Sequence, residues 1–134
     1  MLLPHGTLIA VIDGKTWNLF RNTGNEAEPD LTAVETPSLV ETNHGSGARH
    51  GSSSGNPSGH QMEEDAHAAA VADYLNRQVG DHKIEHLLVI AAPRTLGELR
   101  HHWSKPLQHA LLGEFSKDLV GHPAADVLAA IKGK

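Results

Sequence analysis

The sequence predicts an α/β domain built around a central sheet, and three observations predict it. Ile84 with Leu87, Leu88, Val89 and Ile90 forms a nearly continuous apolar block, the pattern of a strand buried on both faces rather than one. Ala68, Val71, Ala72, Leu75 and Val79 recur at helical spacing just before it, marking a helix from about Gln61 to Val79. Asp13-Gly14 lies between two strand-like runs and is a strong hairpin signal, so antiparallel strands precede the helix.

In chain order, Thr7 to Ile12 is β-branched and alternating, and Lys15 to Arg21 supplies the returning strand with Trp17, Leu19 and Arg21 on one face. A turn from Asn22 to Asp30 contains Gly24 and Pro29, and Leu31 to Glu35 forms a third short strand before Pro37. From Asn43 to His60 the composition shifts to Gly and Ser. Such a segment offers almost nothing to a core, so it is expected to be a flexible loop of the long kind that is either functional or disordered. Ser58 with Gln61 reads as a capping box opening the long helix, and Gly80 closes it. The buried strand stops at Pro93. Thr95 with Glu98 then reads as a second capping box, which starts a helix whose inner face carries Leu96, Leu99 and Trp103. Pro106 kinks or restarts that helix. Leu107, Leu111, Phe115 and Leu119 repeat as in a helix, yet Gly113 interrupts them and the same stretch alternates as an edge strand, so periodicity leaves both open. Pro123 fits the first position of a last helix with Ala124, Val127, Leu128 and Ile131 as its buried stripe.

The 134 residues make one domain, 1–134, able to bury a core without staples. Cysteine is absent, which excludes disulfides, a thiol nucleophile and a thiolate metal site. The N-terminus has no basic leader and no run long enough to cross a bilayer, so the expectation is a cytoplasmic protein with no membrane association. A net charge of −5 opposes non-specific nucleic-acid binding by the molecule as a whole, while leaving room for a local basic patch. The eleven histidines are read as ordinary surface residues.

The stretches MLLPHGTLIAVIDG, LFRNTGNEAEPDL, EEDAHAAAVADYLNRQV, IEHLLVIAAPRTLGELR and GEFSKDLVGHP together resemble the host attachment protein family, described as proteins required for attachment to host cells, over nearly the whole chain. AAPRTLGELR followed by KDL and HP is the most specific part. That bacterial family is similar in turn to the middle domain of archaeal and eukaryotic peptide-chain release factors and Pelota-like proteins. The resemblance implies a ribonuclease H-like order, β-β-β-α-β-α-β-α, in a five-stranded mixed sheet with helices on both faces. It makes Gly113 to Leu119 the fifth strand and places the buried strand beside the first.

In release factors a Gly-Gly-Gln loop before the long helix enters the peptidyl-transferase centre and promotes hydrolysis of peptidyl-tRNA. The corresponding stretch here begins Asn43-His44-Gly45-Ser46-Gly47-Ala48-Arg49-His50, and no Gly-Gly-Gln occurs anywhere in the chain. What the resemblance then implies is a ribosome- or tRNA-associated binding protein without the hydrolytic motif. The flanking domains of release factors are not in this sequence, so a protein partner or a different docking mode is implied as well. The alternative is a factor promoting attachment of a bacterium to host cells.

Chemistry of other kinds is weakly signalled. A ribonuclease H-like nuclease needs carboxylates to hold two Mg²⁺ ions; Asp13 and Glu63 or Glu64 are roughly placed for two of them, but Ala91-Ala92-Pro93-Arg94 puts a cation where a third acid belongs. Glu64 with His67 and Glu98 with His101 have a metal-ligand spacing on helices, but the fold is not a four-helix bundle. Any Zn²⁺ or Ni²⁺ binding by His44, His50, His60 and His67 is read as adventitious rather than functional. Neither a Ser-His-Asp arrangement nor a phosphate loop stands out. No catalytic residue, metal or cofactor is therefore assigned. The candidate binding residues are Arg94 and Thr95, at a helix N-terminus following a buried strand, with His44, Gly45, Gly47, Arg49 and His50 in the Gly-rich loop.

Overall fold

The computed structural model describes residues 3–39 and 59–133, and side chains of the long helix from Met62 onward. Strand β1 (Leu8–Ile12) turns through Asp13-Gly14 into β2 (Trp17–Asn22), with Ile12 opposite Trp17 and Leu8 opposite Arg21. Asp13 itself makes the turn: its Oδ1 accepts from the N–H groups of Lys15 and Thr16, each at 2.8 Å. Strand β3 (Leu31–Val34) adds antiparallel to β2. Helix α1 (Gly59–Gly80) then carries the chain back to β4 (Leu87–Ala91), which pairs parallel with β1. Helices α2 (Pro93–Arg100) and α3 (Lys105–Ala110) form the crossover to β5 (Leu111–Ser116), which is parallel to β4, and α4 (Ala124–Lys132) follows. The sheet order is β3-β2-β1-β4-β5.

Two apolar clusters sandwich this sheet. On one face Leu8, Ala10, Ile12, Trp17, Leu19, Leu87 and Val89 meet Ala68, Val71, Ala72 and Leu75 of α1, together with Leu96, Leu99 and Leu107. On the other, Ile9, Val11, Phe20, Leu88, Ile90 and Phe115 meet Val127 and Ile131 of α4. Every residue of β4 is 0% exposed, as a strand feeding both clusters must be. Each fully buried Leu or Ile contributes about 1.5–3 kcal/mol relative to exposure, so β1 and β4 hold the fold together.

Several boundaries differ from the sequence expectation for identifiable reasons. The helix after β4 starts at Pro93, not Thr95, and no side chain caps it. Proline at the first helical position has its φ already set and lacks only an N–H that would have had no partner there, so it displaces the later Thr-Glu start. Thr95 is buried inside α2, and Glu98 pairs with His102 at 3.1 Å instead of reaching back to a cap. Ser104 caps α3 by accepting from Leu107 N–H at 3.2 Å, which makes Pro106 part of a new helix. The fifth strand occupies Leu111–Ser116 rather than Gly113 to Leu119. Leu87 faces Leu111 and Leu88 faces Gly113, so Leu112 is an extra residue in the ladder and Gly113 sits inside a strand. Pro123 is the N-cap of α4, one position before its expected place. The long helix ends on Gly80 as expected, but the left-handed residue of its cap is His82, at φ 63°. Lys83 N–H bonds the Gln78 carbonyl and His82 N–H that of Val79, which is a Schellman closure. The capping box expected from Ser58 and Gln61 lies outside the described residues.

Two polar networks fasten the connections to the sheet. Where β2 ends and β1 begins, Asn22 is completely buried; its amide donates to the carbonyls of Leu3 and Pro4, and its Oδ1 accepts from Gly24 and Asp30 N–H, all within 2.8–3.2 Å. Thr7 and Arg21 add bonds to the carbonyls of Pro4 and Gly6. At the far end of α2, Asn76 of α1 donates to His102 O and accepts from Ser104 N–H. Glu114 of β5 accepts from Arg100 Nε and Trp103 Nε1, both at 2.9 Å, which locks the α2–α3 turn onto the sheet.

Candidate functional site

The parallel strands β1, β4 and β5 all end on one edge, and β3, antiparallel to β2, runs toward the same edge. Ala92 N–H bonds Ile12 O and Lys117 N–H bonds Ala91 O, so the residues leaving the three parallel strands stand side by side. Helix α1 begins there too, because a Cβ on Gly14 would lie 2.7 Å from the carboxyl carbon of Glu64. The chain therefore leaves β3 and enters α1 at the carboxyl edge of the sheet, where open α/β sheets bind ligands.

Arg94 is exposed on the first turn of α2 at this edge. Thr95 points away from it, buried at 6% exposure, and so is not an available binding side chain. Pro93 brings no N–H, and Leu96 N–H already bonds Ala92 O at 2.8 Å, so the first turn offers at most the N–H groups of Arg94 and Thr95. His44, Gly45, Gly47, Arg49 and His50 lie outside the described residues. Lys15 in the β1–β2 turn and Lys117 after β5 are exposed at the same edge. The sequence reading named neither, because only the sheet order brings them beside Arg94.

The arrangement does not organise an acid–base or metal site among the described residues. Asp13 is committed to its turn, and Glu64 packs against the neighbouring glycine rather than converging with a third acid. His67 is buried on α1, and Glu98 bonds His102 rather than His101. Among the described residues no three His, Asp or Glu side chains group as metal ligands, and no helix is long and apolar enough to cross a membrane. The edge presents Lys15, Arg94 and Lys117 interleaved with the carboxylates of Asp13, Glu64 and Asp118.

Fold and edge together define a ribonuclease H-like α/β domain of the kind expected for release-factor middle domains: five strands in a mixed sheet with helices on both faces. The family model described as bacterial archaeo-eukaryotic release factor family 12 matches residues 6–131, and the chain belongs to that family. The match carries the release-factor side of the resemblance and not the host attachment name. A search among curated proteins found no match.

Proposed function

We propose that this chain is a non-enzymatic, cytoplasmic binding protein of the release-factor type that associates with the ribosome or tRNA. In this reading residues 43–60 and Arg94 act from one edge of the sheet, with a protein partner supplying contacts the domain lacks. The observation that carries it is the family match over residues 6–131 in a chain that contains no Gly-Gly-Gln. The geometry supports it, since the chain leaves β3 and enters α1 at the edge where Arg94, Lys15 and Lys117 are exposed. Without the triplet that serves peptidyl-tRNA hydrolysis in release factors, binding is the property the domain retains. Sedimentation of a cell lysate through a sucrose cushion tests this. Recovery of the protein in the ribosomal pellet, released by high salt, is expected; its absence from the pellet with both vacant and stalled ribosomes would overturn the reading.

A further inference from the structure

The sheet order ends in β3 on one side and β5 on the other, so among the described residues each has a strand neighbour on one side only. An outer strand leaves a row of backbone N–H and C=O groups open to pairing, and proteins guard such rows with short strands, charges, proline or a covering helix. β3 is guarded in this way. It has four residues, Glu35 and Pro37 follow it closely, and α4 packs against it. β5 has six residues, without proline, lysine or arginine, and its one acid is turned back onto the domain: Glu114, 20% exposed in its side chain, accepts from Arg100 Nε and Trp103 Nε1. Apolar side chains flank the strand on both faces, with Leu111 half-buried on the α1 side and Leu112 half-buried on the α4 side.

The ladder fixes which groups of β5 are open. Lys117 N–H bonds Ala91 O, so Phe115 and Lys117 turn their backbone groups to β4, while Glu114 and Ser116 turn theirs outward. The bulge at Leu112 lies at the start of the strand and leaves Gly113 to Ser116 in register. This open set is self-complementary. In an antiparallel pair centred on Phe115, Glu114 of one copy lies opposite Ser116 of the other, and every outward N–H of these two residues meets a carbonyl of the opposite chain. Side chains placed opposite one another share a face, and exposed Ser116 has a hydroxyl able to donate to the Glu114 carboxylate there. A pair centred on Glu114 would instead set two carboxylates against each other, which disfavours that register.

We propose that the outer side of β5 pairs with the same strand of a second copy of this chain, antiparallel about Phe115, joining two five-stranded sheets into one across a twofold axis. The contact is independent of the release-factor reading. It sets the two carboxyl edges at opposite ends of the dimer, because the paired strands run in opposite directions. One strand pair with flanking leucines makes a small interface, so the association is weak and depends on concentration.

Sedimentation velocity of the purified chain at concentrations from about 10 to about 500 μM tests this. Wild type is expected to pass from the mass of one 14.3 kDa chain toward twice that mass over the range. Ser116→Pro removes an N–H that β4 does not use and is expected to weaken dimerisation by about tenfold or more. Ser116→Glu sets a carboxylate opposite Glu114 of the second copy and is expected to weaken it by about tenfold, whereas Ser116→Lys keeps or strengthens it. The control Ala33→Pro makes the same kind of change on β3, at the other side of the sheet, and is expected to stay within about twofold of wild type. Circular dichroism melting first establishes that each variant is folded; if Ser116→Pro is not, the comparison of Ser116→Glu with Ser116→Lys decides. Wild type that stays monomeric at the highest concentration, Ser116→Glu that dimerises as well as Ser116→Lys, or an equal loss in Ala33→Pro would each overturn the inference.

Discussion

The two edges of the sheet are made to different specifications. The amino edge is closed by one buried amide: Asn22 bonds the N-terminal segment through Leu3 and Pro4 and the β2–β3 turn through Gly24 and Asp30. The carboxyl edge is held by main-chain bonds and one exposed-side turn at Asp13, and it leaves Lys15, Arg94 and Lys117 facing outward. The contrast is between an edge whose polar side chain is buried in the fold and one whose charged side chains reach the surface. A partner meets charges of the second kind directly, because they are accessible.

Substitutions can break or sharpen this contrast. The largest effect is expected at Asn22→Ala, which leaves several buried backbone groups without partners and should cost about 3 kcal/mol in urea unfolding. Asp13→Ala removes two bonds at the half-exposed carboxyl-edge turn and should cost about 1 kcal/mol by the same measurement. Equal losses at the two positions would erase the distinction. Smallest is Glu98→Ala. A capping box would make it cost about 1 kcal/mol, whereas its partly exposed pairing with His102 makes it cost less than about 0.5 kcal/mol.

That last residue shows what the sequence makes legible. The buried strand at Leu87 to Ile90, the Asp13-Gly14 hairpin and the long helix could be read because each rests on many residues agreeing in period. The ends of elements rest on one or two residues that compete. Thr95 with Glu98 read as the helix start and Pro93 only as the end of the strand, yet the helix starts on the proline because its backbone is preset. Gly80 ends the long helix as read, while the left-handed residue of the closing turn is His82, two residues later. Gly113 interrupted the helical repeat without deciding the matter until β4 provided a strand partner for it. The site was legible in part: Arg94 stands where the strand-to-helix junction put it. The Thr95 side chain is buried because the helix's rotation shifted with its start. Lys15 and Lys117 were missed because only the sheet order brings them beside Arg94.

The central claim is that the carboxyl edge serves a ribosomal or tRNA partner, and pelleting with ribosomes tests it most directly. Wild type should appear in the ribosomal pellet at low salt, and Arg49→Gln/Arg94→Gln should shift most of it to the supernatant while leaving the melting transition in place. Wild-type protein that remains wholly in the supernatant with vacant and stalled ribosomes alike would contradict the account.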